Sequence, residues 1–111
     1  MAHPTVRRAT PADTDGIWEV FRTCFGASPA ERDAWVAQLD PDRAKVIDGP
    51  HGEVAAMTHV RPFDQWFGGR PVRLGGYSPV GVLPHHRNRG WGRAVCEAQL
   101  PDLRDRGEVI A

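Results

Sequence analysis

Six consecutive residues, Arg87-Asn88-Arg89-Gly90-Trp91-Gly92, combine cationic side chains with glycines at a spacing suited to holding an anion. A β-branched run, Val80-Gly81-Val82, precedes them and closes at Pro84, and an apolar helical pattern follows. The reading is strand, basic glycine turn, helix N-terminus. A helix start leaves its first backbone N–H groups without intrahelical partners and carries partial positive charge, which suits it to phosphate. Gly90 and Gly92 let a ligand approach the backbone closely. Arg87, Arg89 and Arg93 add forked donors suited to a diphosphate. The spacing is neither the G-x-G-x-x-G of a dinucleotide fold nor the G-K-[ST] of a P-loop. The plainer alternative is an ordinary turn with surface arginines. Agreement between strand, turn and helix favours the anion site.

Other residues with chemical potential read as structural. His85-His86 suggests a metal, but adjacent histidines in a turn rarely reach one ion and no Cys or carboxylate has ligand spacing nearby, so no metal is expected. His59, on an apolar strand, is either a base facing an acceptor or a hydrogen-bonded sheet residue, and the second is favoured. Cys96, at helical spacing with Leu100 and Leu103, reads as core. So do Trp18, Phe21 and Phe25, whereas Trp35 is open between core and a cleft wall. Asp33 and Asp40 could attract a cationic amine, but solvated helix-end acids are the default reading.

The elements that must position these residues follow from periodicity and punctuation. Val6 to Ala9 predicts a short strand. Thr10-Pro11-Ala12-Asp13 and Ser28-Pro29-Ala30-Glu31 each read as a helix start: hydroxyl cap, Pro in the first turn, acid at the third position. The first helix carries Ile17, Trp18, Phe21 and Phe25 and stops at Gly26; the second carries Ala34, Trp35, Val36 and Leu39 and ends at Asp40-Pro41. Ala44 to Asp48 and Glu53 to Phe63 form a hairpin, the latter strand with Val54, Ala56 and Val60 on one face and Ala55 and Met57 on the other. After Gly68-Gly69, Val72 to Leu74 returns, Gly75-Gly76 interrupts, and Tyr77 to Leu83 enters the motif strand. Arg89 to Arg106 predicts the last helix, stopped by Gly107, and Val109 to Ala111 begins another strand. Two prolines sit awkwardly. Pro79 removes a donor from a central strand, and Pro101 inside the last helix would lose the bond to the Glu97 carbonyl, at about 3 kcal/mol or a kink.

With 111 residues this is at most one domain. Apolar residues make up 41%, with four Trp and four Phe, so a modest core is within reach. Formal net charge is zero, which argues against general nucleic-acid binding. Two cysteines make no disulfide framework and read as reduced thiols of a cytoplasmic protein. Neither a signal peptide nor an apolar run of membrane-span length is evident, so no membrane partner is expected.

The turn resembles the R-x-x-G-x-G motif of GCN5-related N-acetyltransferases, and Val80-x-Val82-x-Pro84 resembles that family's central strand. Trp66-Phe67-Gly68-Gly69-Arg70-Pro71-Val72, Gly75-Gly76 and Arg106-Gly107-Glu108 are similar to the Eis-type branch. The resemblance implies the α/β GNAT acyl-CoA N-acyltransferase fold, in the order β-α-α-β-β-β-α-β with its C-terminal part missing, so that residues 1–111 form a single partial domain. It implies acetyl-CoA as cosubstrate. Val80, Gly81 and Val82 would pair with the pantetheine, and Asn88, Arg89, Gly90, Trp91, Gly92 and Arg93 would wrap the diphosphate. It implies a small-molecule amine or a lysine-bearing protein as acceptor, aminoglycosides included, and leaves homo-oligomers open. The family's general acid, a tyrosine, and its base, a C-terminal carboxylate, would lie beyond residue 111, so catalytic residues are unassigned and Tyr77, the only tyrosine, is not given that role. The isolated chain is then expected to transfer little acetyl. The alternatives are a non-catalytic CoA-binding module and an inactive gene fragment.

Overall fold

The computed structural model describes residues 4–110. Its elements are β1 (Arg7–Arg8), α1 (Thr14–Phe25), α2 (Arg32–Ala37), β2 (Ala44–Asp48), β3 (Val54–Phe67), β4 (Arg70–Val82), α3 (Trp91–Glu97), α4 (Leu100–Arg106) and β5 (Val109–Ile110). The strands form one sheet in the order β1-β2-β3-β4-β5, antiparallel except that β5 runs parallel to β4. This is the mixed α/β fold expected. Ala111, expected in the last strand, lies outside the described residues.

Both expected helix starts are present as single 3-10 turns that lead into the helices. The Asp13 carboxylate accepts from the Thr10 backbone N–H at 2.8 Å, and Glu31 accepts from the Ser28 N–H at 2.6 Å. Gly26 ends α1 at φ 68°, a conformation that glycine adopts without steric cost. The sheet is covered on both sides. Ile17 and Val20 of α1 pack with Val46, Val54 and Met57 on one face, and Val95 of α3 packs with Ile47 and Ala56 on the other. Residues 54–60 of β3 are all buried, as an interior strand requires. The simple alternation expected there fails, because Val54 shares its face with Met57 and not with Ala56. The register shifts between Ile47 and Asp48, and that bulge turns Val54 over. Residues 61–67, by contrast, are all exposed and form a hairpin arm with the start of β4.

Three expectations about interruptions are corrected. Gly75-Gly76 does not break the returning strand, since β4 runs through it. A Cβ at Gly75 would meet Val60 at 2.9 Å, and one at Gly76 would meet Phe63 at 2.6 Å, so these glycines allow close cover of the strand. Pro79 stands at a bulge. Thr58 pairs with Val80 and Val60 with Tyr77, so His59 alone faces Ser78 and Pro79, and the ladder needs no donor there. The helix expected over Arg89 to Arg106 is two helices, with Pro101 in the first turn of α4, where no intrahelical N–H is needed. Side chains reach the carbonyls at the break. Thr58 Oγ1 donates to the Val95 carbonyl at 2.9 Å, and the Tyr77 hydroxyl donates to that of Cys96 at 2.8 Å. Among the described residues no helix is long and apolar enough to cross a membrane.

Candidate functional site

Beyond its two-residue pairing with β5 at Leu74 and Gly75, the outer edge of β4 has no neighbouring strand among the described residues. Along that free edge lies a groove of about 450 Å³. Val80, Gly81 and Val82 form one wall, Asn88, Gly90, Trp91 and Gly92 form its end, and Cys24 and Phe25 approach from α1. An unpaired strand edge presents backbone donors and acceptors to any extended amide-bearing ligand. Gly81 has a second task, because a Cβ there would stand 2.9 Å from Val20, so glycine lets α1 seat against β4.

The turn at the end of the groove is held from behind. Arg87 Nε donates to the Val82 carbonyl at 3.2 Å. The His86 ring is buried, stacks on Trp91 at 4.9 Å, and lies 3.2 Å from Glu53 through Nε2. Asn88 and Gly90 both take left-handed backbone, at φ 66° and 75°. Such a path points successive N–H groups inward to form an anion nest. Among the described residues, the backbone N–H groups of Asn88 to Arg93 find no protein acceptor. α3 is only seven residues long, so the turn's own amides, more than a helix dipole, are the donors.

The groove gathers seven of the nine residues expected to contact a cofactor: Val80, Gly81, Val82, Asn88, Gly90, Trp91 and Gly92. Arg89 and Arg93 are not in its lining. The Arg89 guanidinium lies 5.5 Å over the Trp91 ring, and Arg93 is paired with Glu97 at 2.6 Å on the exposed side of α3. Sequence reading missed Cys24 and Phe25. Phe25, expected in the core, is 56% exposed, because α1 ends just where the groove begins. Trp18 is core as expected, and Trp35 is half-buried, stacked on Phe21 at 4.4 Å. Glu53 was missed too. The fold brings it to the histidine pair, and donor atoms of Glu53, His85 and His86 all fall within 4.8 Å of one another. Its other oxygen accepts from the His51 N–H, so the carboxylate braces the hairpin turn against the glycine turn.

On the far side of the bulge two hollows share Arg61 and Ser78. One, about 50 Å³, is walled by Trp35, Leu39 and His59. The other, about 490 Å³, is walled by Pro62, Phe63, Gly76 and Tyr77. His59 is fully engaged, with Nε2 accepting from the Asp40 N–H at 3.2 Å and Nδ1 lying 3.1 Å from the Ser78 carbonyl. That pairing requires the neutral ring with its proton on Nδ1. Burial pushes the His59 pKa below its usual value, with Arg43 and Arg61 acting in the same direction. It is the hydrogen-bonded sheet residue anticipated. Beneath lies Glu108, its side chain 2% exposed, which accepts from Arg43 at 2.6 Å and Arg106 at 3.1 Å. Burial raises its pKa, but the two guanidinium groups outweigh that and leave it below the usual range.

The family model described as an acetyltransferase (GNAT) domain matches residues 5–111. Among solved structures, the chain is similar to a GCN5-related N-acetyltransferase from Kribbella flavida, with a TM-score of 0.83 and 28% identity, over 96% of this chain and 28% of that one. It is similar to Eis1 from Mycobacterium abscessus, with a TM-score of 0.78 and 26% identity, over 96% of this chain and 26% of that one. A GNAT family N-acetyltransferase from Escherichia coli, solved in complex with CoA, shares the fold with a TM-score of 0.74 at 23% identity, over 97% of this chain and 60% of that one. This chain thus spans about a quarter of the length of the first two. No curated protein sequence matches it.

Proposed function

We propose a function from the premise that this chain belongs to the acetyltransferase (GNAT) family: it binds acetyl-CoA in the groove beside β4 and serves acetyl transfer to an amine. The observation that carries this is the pairing of a free strand edge at Val80–Val82 with a nest of unpaired amides at Asn88–Arg93. The edge suits the two amides of pantetheine. The nest suits a diphosphate, which needs converging N–H groups more than particular side chains. No carboxylate stands in the groove lining to repel it among the described residues. In the reaction the neutral amine nitrogen attacks the thioester carbonyl carbon, a C–N bond forms, and the C–S bond breaks. The sulfur leaves with the electron pair, and the proton lost by nitrogen ends on the thiol. The hollows lined by Ser78 begin two residues, or ~7 Å along the strand, from Val80, which supports reading them as the acceptor side. The CoA complex of the Escherichia coli relative supports acyl-CoA as the ligand, and the likeness to Eis1 supports a place near the Eis-type branch.

One observation favours a second reading, a CoA-binding module without catalysis. The two groups near the hollows that could move a proton are both occupied structurally: His59 through both ring nitrogens, and Tyr77 through the Cys96 carbonyl. The test is calorimetric titration with acetyl-CoA, dephospho-CoA and acetyl-pantetheine, followed by thiol release with a panel of amines. Tight binding of the first two over the third, with thiol release, supports the transferase. Binding without thiol release supports the module. Equal binding of all three ligands overturns the diphosphate assignment.

A further inference from the structure

Both hollows beyond the bulge have aromatic and apolar side chains in their walls, and of the two residues they share, Arg61 and Ser78, the charged one is cationic. Arg61 lies on the same face of β3 as His59, toward Trp35. Among the described residues its guanidinium makes no hydrogen bond and no ion pair. This sets it apart from other arginines nearby, since Arg43, Arg73 and Arg106 all converge on Glu108. No carboxylate lines either hollow among the described residues. Asp40, which adjoins His59, has its backbone on that ring and its side chain accepting from the Asp42 N–H. His59 itself is held neutral and donates to Ser78, so it offers no acceptor to a cation.

We propose that Arg61 is a specificity residue, and that the hollow takes an amine carrying a carboxylate next to an apolar body, as an amino acid does. This rests on the acetyl-transfer reading above and narrows its acceptor. A free guanidinium is a planar fork that matches a carboxylate in two parallel hydrogen bonds. Arg61 is itself exposed, so that pair forms at the surface, partly screened by water, beside Phe63, which is 43% exposed, and the half-buried Trp35. The amine would then point along β4 toward the bulge and the groove. A polycation such as an aminoglycoside meets the opposite environment, with one fixed positive charge and no carboxylate to answer its own. The hollow therefore disfavours the aminoglycoside acceptors that resemblance to the Eis-type branch implies.

The decisive comparison is L-phenylalanine against phenethylamine, which differ only by the carboxylate, with kanamycin as the polycation. Binding of each is measured by calorimetry on the chain with and without saturating CoA. Phenylalanine is expected to bind up to about fivefold tighter than phenethylamine, the range of a solvent-exposed charge pair. Arg61→Gln should erase that difference, and Arg61→Lys should restore only part of it, because an ammonium lacks the fork. Equal affinity for phenylalanine and phenethylamine, or kanamycin binding more tightly than phenylalanine, overturns the proposal. So does a phenylalanine preference that survives Arg61→Gln. Failure of CoA itself to bind overturns the function proposed above, while the acceptor preference is still read on the free chain.

Discussion

The groove beside Val80–Val82 and the hollows around Arg61 lie on either side of one bulge, yet they are built from different material. The groove is made of backbone: a free strand edge and a left-handed turn with unpaired amides. The hollows are made of side chains that arrive from α2, β3 and β4, with a guanidinium as their charged group. Backbone recognition tolerates change in side chains but not in φ. Side-chain recognition is the reverse. Single substitutions should therefore act very differently on the two regions.

The largest effect is expected at Gly90. An aspartate there must hold φ near 75°, at about 1–2 kcal/mol for a residue with a Cβ, and it sets a negative charge against the diphosphate, worth about 1–4 kcal/mol at 4 Å. Gly90→Asp should weaken acetyl-CoA binding by about a hundredfold or more, and Gly90→Ala, which has the strain without the charge, by about tenfold. A Cβ at Gly90 meets no atom within 4 Å, so neither variant should clash with the fold. If alanine weakens binding as much as aspartate does, geometry alone rules the turn and the electrostatic half of the argument fails.

On the side-chain side the next largest effect is at Glu108. Glu108→Gln leaves Arg43 and Arg106 without their buried anion and should cost about 3 kcal/mol, read from the urea midpoint. The same pair sets an acid limit. The folded pKa of Glu108 lies below its unfolded value, so the stabilisation is fully present above the unfolded pKa of about 4.3 and drains away as pH falls through the folded pKa. In the Gln variant that share of the acid dependence should vanish. An unchanged acid profile would mean the clamp contributes nothing in solution.

Smaller changes separate packing from chemistry. Tyr77→Phe removes the donor to the Cys96 carbonyl and should cost about 1 kcal/mol in stability. A collapse of thiol release far beyond that loss would make Tyr77 a catalytic group after all. Pro101→Ala should move stability by less than about 1 kcal/mol, because Pro101 already occupies a first helical turn. A gain near the 3 kcal/mol of an interior proline would show that α3 and α4 form one strained helix in solution.

The turn chemistry was legible in the sequence because it is local. Val80-x-Val82-x-Pro84 and Arg87 to Gly92 specify strand, turn and helix within thirteen residues, and Gly90 and Asn88 are residue types that accept left-handed backbone. The order of elements along the chain and both capping boxes were legible for the same reason. Other features depended on partners far away in the chain. Pro79 and Pro101 looked misplaced until pairing in the sheet put one at a bulge and packing put the other at a helix start. Glu53 reaches His86 across 33 positions, and Arg61 shares a hollow with Trp35, 26 positions away, only once the chain has folded. Periodicity assigns a residue to a face, but it carries no record of which other element will cover that face. The glycine turn was fixed by local sequence through the backbone conformations its residues allow. The hollow proposed for the acceptor was decided by tertiary packing, which among the described residues leaves Arg61 without a carboxylate while drawing its neighbours onto Glu108.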